Sequence, residues 1–130
     1  MRRLEGKVAV VTGGSKGIGK AIGRALAEEG ARVVLSGRTS APLLLAVEEL
    51  KAAGFQAMGV QGDVAKEVDS NRVVNEAVQA FGAVDILVNN AGMGIFKPVS
   101  DLSVEDFDTM FATNMRGVFL MTKAVLPHMM

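Results

Sequence analysis

Two clusters of residues in this chain have the types and spacing to serve a ligand, the first of them an anion. The first is Thr12-Gly13-Gly14-Ser15-Lys16-Gly17-Ile18-Gly19. Glycines at these steps let the backbone turn sharply and approach a ligand with no Cβ in the way. The free N–H groups of a helix that starts at Gly17 then face whatever lies in the turn, and a phosphate suits them. The spacing is G-x-x-x-G-x-G, which differs from both the dinucleotide fingerprint G-x-G-x-x-G and the Walker loop. A tight strand-to-helix turn without a ligand would use the same glycines. The second cluster is Asn89-Asn90-Ala91-Gly92, two amides and a glycine after a short apolar run. Two such amides could simply tie neighbouring strands together.

These clusters need a scaffold, and the hydrophobic pattern supplies one. The run at 7–12 is β-branched and stops at Gly13-Gly14, as a buried strand would. From Gly17 the apolar residues Ile18, Ile22, Ala25, Leu26 and Ala27 follow helical spacing until Gly30, a helix stop. Residues 31–36 read as a strand, 41–53 as a helix with Pro42 in its first turn and Gly54 after its end, and 56–61 as a strand. Val74, Ala77, Val78 and Phe81 lie at i, i+3, i+4, i+7 of a further helix that Gly82 closes. Residues 84–89 form a strand apolar on both faces, 90–101 a loop, and a last helix begins near Ser103. Ser103 and Asp106 resemble a capping box, and the helix runs through Phe107, Phe111, Val118 and Met121 towards Pro127. Continuously apolar strands alternating with helices predict an α/β fold, a doubly wound parallel sheet of about four strands covered on both faces. In such a sheet ligands bind beyond the carboxyl ends of the strands, where the strand order reverses. The first and fourth strands flank that crevice, and each carries one of the two clusters.

Composition narrows the function. The 14 basic and 14 acidic residues cancel, so no global field favours nucleic acid or a membrane surface. There is no cysteine, which removes disulfide and thiolate chemistry, and the lone His128 cannot make a zinc site by itself. No apolar run approaches the ~18 residues of a membrane span. The expectation is a cytoplasmic protein without nucleic-acid, membrane or metal partners.

"TGGSKGIG", "GDV", "NNAG" and the later Asn114-Met115-Arg116-Gly117, in that order, resemble the N-terminal half of the short-chain dehydrogenase/reductase family, including its 3-oxoacyl-acyl-carrier-protein reductases. The resemblance implies a Rossmann-type sheet of order 3-2-1-4 and a single NADP-binding domain over 1–130. It implies that the turn with Gly13, Ser15, Lys16, Gly17, Ile18 and Gly19 holds the cofactor phosphates, the Ile18 N–H facing the pyrophosphate. Asp63 and Val64 would hold the adenine; the plainer alternative is an Asp that caps the next helix. Asn90, with Ala91 and Gly92, would line the ribose next to the nicotinamide. Asn114, on a helix face shared with Phe107, Phe111, Val118 and Met121, would position a water in the proton relay; the plainer alternative is a helix-to-backbone tether.

Cofactor choice follows from charge. A carboxylate ~20 residues past the glycine turn would bind the ribose hydroxyls of NAD and repel a 2′-phosphate. The stretch there, Leu35-Ser36-Gly37-Arg38-Thr39, has no carboxylate and supplies a guanidinium. Arg38 as a planar fork and Lys16 as a point charge favour NADP(H) over NAD(H).

The family's hydride transfer between nicotinamide and a carbonyl or secondary alcohol also needs a serine and a tyrosine with a lysine four residues on. The chain contains no tyrosine. The expectation is a chain cut before that catalytic segment, inactive alone, with a small carbonyl or alcohol as the substrate of the longer form. The fourth strand then becomes an exposed edge, and the last helix has apolar residues to spare. Self-association through the helix over 103–126 is therefore expected.

Overall fold

The computed structural model describes residues 2–130. β1 (Val8–Thr12), β2 (Arg32–Gly37), β3 (Ala57–Gln61) and β4 (Ile86–Val88) form one parallel sheet in the order β3-β2-β1-β4. The intervening helices are α1 (Gly17–Glu28), α2 (Ser40–Ala52) and α3 (Glu67–Phe81). They sort onto the two faces by the period-two alternation of the strands. Ala9, Val11, Val33, Leu35 and Ala57 pack against Ala27 of α1 and Leu43, Ala46, Val47 and Leu50 of α2. Val10, Val34 and Val60 point the other way, onto Val73, Val74 and Ala77 of α3 and Met121 and Val125. β1, buried on both faces, is the centre of the molecule. The order reverses between β1 and β4, which opens the crevice expected at their carboxyl ends.

α1, α2 and α3 each give way to a glycine with positive φ, Gly30 (98°), Gly54 (91°) and Gly82 (85°), which fixes these ends where the sequence puts them. Two elements differ from expectation. The fourth strand pairs with β1 over three residues only, Ile86–Val88, because Asp85 turns its carboxylate to accept from the Val8 N–H at 2.9 Å and Asn89 is already exposed.

The last helix is not uniform. α4 (Val104–Phe111) starts at the expected capping box, in which Ser103 and Asp106 exchange bonds of 2.9 and 3.2 Å. A π-helical turn, Ala112–Arg116, then inserts before α5 (Gly117–Met129). Pro127 lies inside α5 rather than at its end. Met121 is buried, whereas Phe107, Phe111 and Val118, expected on the same face, are exposed.

Candidate functional site

β1 ends at Thr12, and the chain turns at once on Gly13, whose φ of 63° disfavours a side chain. A Cβ there would lie 2.9 Å from the Cα of Ala91. Gly19, one turn into α1, is closed in more tightly: a Cβ would collide with the Gly13 carbonyl and the Asn90 side-chain nitrogen. The turn is therefore pressed against the β4 exit, and only glycine permits the approach. A Cβ at Gly17 (φ 58°), by contrast, would meet nothing within 4 Å beyond its chain neighbours and its own helix. The turn is closed behind and open in front.

α1 starts without a side-chain cap on Lys16 and without an acid in its first turn. Among the described residues, the N–H groups of Gly17, Ile18 and Gly19 meet no acceptor; the first amide to find one is that of Lys20, on the Lys16 carbonyl. An uncapped helix start of this kind carries partial positive charge and free donors.

In front of the turn lies a cleft of about 290 Å³. Gly13, Ser15 and Lys16 border it from the turn, Gly37, Arg38 and Thr39 from the β2 exit, Gly62 and Val64 from the β3 exit, and Asn90, Ala91 and Gly92 from the β4 exit. The lining contains no carboxylate. Lys16 and Arg38 are exposed, and among the described residues neither forms an ion pair. The free donors, the two cations and the cradle that a Cβ would fill suit an anionic, phosphate-bearing cofactor such as a nicotinamide dinucleotide.

Not every residue singled out by sequence lies on this cleft. Ile18 points into solvent at the start of α1, and Gly19 is buried under the turn. Asp63 is half-buried and does not cap α3. Its Oδ1 accepts from the Ala65 N–H at 2.9 Å, closing a local turn, and the N-cap of α3 is Lys66, which makes no side-chain cap bond. The Asp63 N–H is itself held by Asp69 Oδ2 at 2.9 Å. That bond, then the Arg72 guanidinium, keeps the Asp69 carboxyl below the ordinary aspartate range.

Asn114 sits in the π turn and is exposed, not buried among apolar side chains. Its amide grips the backbone of Met93 from both sides: Oδ1 accepts from the N–H and Nδ2 donates to the carbonyl, each at 2.9 Å. This is the tether the sequence allowed, and it fixes the chain leaving Gly92.

Other supports were not singled out by sequence. Thr12, buried at the end of β1, accepts at Oγ1 from the N–H groups of Asn90 (3.1 Å) and Ala91 (3.0 Å) and donates to the Val88 carbonyl (3.4 Å). Asn90 completes the link by donating from Nδ2 to the Gly13 carbonyl at 3.1 Å. The only sequence signal for Thr12 is a hydroxyl closing a run of valines. Arg116 donates to the Ala65 carbonyl at 3.0 Å. Gly117 leaves room for Val64, whose Cγ2 would stand 2.5 Å from any Cβ there. The Asn114-Met115-Arg116-Gly117 segment thus braces both the β4 exit and the 63–65 turn.

Comparison with known proteins agrees with this geometry. An uncharacterized oxidoreductase of Methylorubrum extorquens is 46% identical over 130 residues, covering 99% of this chain and 52% of that protein. Glucose 1-dehydrogenase of Gluconobacter oxydans is 42% identical, over 97% of this chain and 48% of its own length. Among solved structures, a Burkholderia cenocepacia short chain dehydrogenase in complex with NADP superposes with a TM-score of 0.92 at 40% identity, over 97% of this chain and 52% of the other. A Serratia marcescens short-chain dehydrogenase/reductase, as a double mutant, gives 0.92 at 39% identity, over 98% and 52%. The chain spans about half the length of the relatives it matches. With the short chain dehydrogenase model matching residues 7–130, the chain belongs to that family.

Proposed function

We propose that this chain is the cofactor-binding part of an NADP(H)-dependent oxidoreductase that transfers hydride between the nicotinamide and a carbonyl or secondary alcohol. The observation that carries the cofactor choice is the convergence of Lys16 and Arg38, neither ion-paired, on one cleft whose lining has no carboxylate. Bound there, the dinucleotide supplies the hydride. The protein's part is to hold it: the N–H groups at the start of α1 meet the pyrophosphate, Arg38 and Lys16 the 2′-phosphate, Val64 and Asp63 the adenine, and Asn90, Ala91 and Gly92 the nicotinamide-side ribose. Asn114, by fixing Met93, sets the chain next to the reacting ring and supports the proton relay. The substrate class implied by resemblance is a 3-oxoacyl thioester, the site of action the cytoplasm, and the assembly a homo-oligomer through the helix over 103–126.

Calorimetric titration tests the cofactor reading. Hydrogen bonds to charged groups contribute about 1.5–3 kcal/mol, less where solvent reaches them, so NADPH should bind on the order of 10-fold more tightly than NADH. Arg38→Asp should reverse the order, and added salt should narrow the gap. Equal affinities would show that both cations are merely solvated. A second reading is a cofactor-binding module without turnover; these 130 residues contain no tyrosine. NADPH oxidation with a carbonyl present should then stay at background for the 130-residue chain, because a positioned acid contributes typically ~10²–10⁴-fold.

A further inference from the structure

The exits of β2 and β3 border the same cleft, and their separation has to be held where the ladder stops. The pairing ends with Gly37 opposite Gln61, and one more backbone bond, from the Gly62 N–H to the Gly37 carbonyl at 3.0 Å, closes it. Arg38 lies one residue beyond. It precedes Thr39, the N-cap of α2, so its carbonyl lies outside the helix ladder, whose first acceptor is the Thr39 carbonyl. The Gln61 side chain supplies the donor instead, Nε2 to the Arg38 carbonyl at 2.9 Å. Only the nitrogen of the amide can face a carbonyl, so the orientation of Gln61 is dictated. The main-chain carbonyl of Gln61 accepts from Arg72 Nη2 at 2.6 Å, and Arg72 faces Asp69 Oδ1 at 3.5 Å. Asp69 is also the acceptor for the Asp63 N–H. A line of contacts therefore runs from α3 through the end of β3 to the peptide of residue 38, with a branch to the 63–65 turn.

We infer that Gln61 is a positioning residue for cofactor selection: its amide fixes the Arg38 peptide so that the guanidinium stays over the cleft, with Arg72 and Asp69 bracing it from α3. The inference rests on the reading that Arg38 meets a 2′-phosphate. An arginine side chain has many rotamers, and a loose peptide beneath it adds ordering that must be done at the moment of binding. NADH offers no 2′-phosphate to Arg38, so freeing this peptide penalises NADPH selectively. A glutamate at this position could not donate to the carbonyl and would add a charge that repels the phosphate.

Gln61→Met keeps the length and removes the donor; Arg72→Met leaves Gln61 in place and removes the brace. Affinities for NADPH, NADH and adenosine 2′,5′-bisphosphate are measured by calorimetry on each variant, with melting curves recorded alongside. Gln61→Met should weaken NADPH and the bisphosphate about 3- to 10-fold, the worth of one modest hydrogen bond, and NADH less than about twofold. Arg72→Met should act in the same direction and more weakly. In an Arg38→Ala background the Gln61→Met effect should vanish, since the residue it positions is gone. Equal weakening of all three ligands, or no weakening of any, overturns the inference and makes Gln61 a general support or a bystander. If the unaltered protein does not prefer NADPH, or Arg38→Ala leaves that preference intact, the cofactor reading itself has failed; that outcome is separable because it is seen before Gln61 is touched.

Discussion

Thr12 is where the two halves of the site are joined. One hydroxyl, itself buried, serves two amides of the half-buried β4 exit and returns its own proton to Val88. Thr12→Val keeps the shape but leaves the N–H groups of Asn90 and Ala91 without their acceptor. Leaving a buried donor unpaired costs about 1–3 kcal/mol, so Thr12→Val should lower unfolding stability by that order, read from urea titration, and weaken NADPH binding. A change within a few tenths would mean that water replaces the hydroxyl. At this scale the sequence is legible where a residue type is chemically forced. Glycine at Gly13 and Gly19 leaves room for Ala91 and Asn90, and the exposed cations Lys16 and Arg38 reach the cleft from two separate turns. Thr12, Gln61 and the Met93 grip of Asn114 were not legible, because each is a side-chain-to-backbone bond between segments 20 to 80 residues apart, created by register that no local pattern encodes.

At the level of elements, the periodicities locate the strands and helices and their glycine stops, since burial on two faces and positive φ leave direct marks in the sequence. The π turn left none: one extra residue in a helix changes which side chains face inward without changing the apolar composition. The alternative that Asp63 caps α3 fails for a related reason. Asp69, two positions into α3, lies near the positive end of that helix and takes the Asp63 N–H. Asp106 plays the same part for α4, its carboxyl held below the ordinary range first by Lys97 and then by the Ser103 N–H. Glu29 is lowered by Arg3, which ties the amino-terminal segment to the end of α1. A carboxyl whose folded pKa lies below its unfolded value stabilises the fold fully above the unfolded pKa and loses that contribution as pH falls towards the folded one. Stability by denaturant titration should therefore be level with respect to these groups above about pH 5 and decline from about pH 4 downward. Asp69→Asn should flatten part of that decline, because the amide has no proton to gain. An identical acid slope in the variant would show that Asp69 contributes nothing to it.

The whole molecule has one side whose surface does not match its interior. The core faces of the sheet are filled, yet the outer face of α4 and α5 exposes Phe107 (57%), Phe111 (52%) and Phe119 (62%), with Met115, Val118 and Leu126 beside them. Met115, Val118, Phe119, Leu126 and Met130 border a shallow apolar groove of about 680 Å³ along α5. β4, with apolar residues on both faces, is bonded on one side only and adds an open edge. Contiguous exposed apolar surface beyond a few hundred Å² rarely persists on a soluble monomer, because removing it from water stabilises association by about 25 cal/mol per Å². The net charge of zero offers no repulsion to oppose contact between copies. Among the described residues no helix is long and apolar enough to cross a membrane. Self-association through the helix over 103–126 should therefore appear in light scattering or sedimentation as a mass above that of one chain, rising with concentration. Phe111→Glu with Phe119→Glu should lower that mass towards the monomer while leaving the chain folded, since both side chains are largely exposed within one chain, and should remove the dependence of the melting temperature on concentration. A single chain that stays monomeric at high concentration, or a double variant that associates as strongly as the unaltered protein, would place the contact elsewhere, with the open edge of β4 the next surface to block.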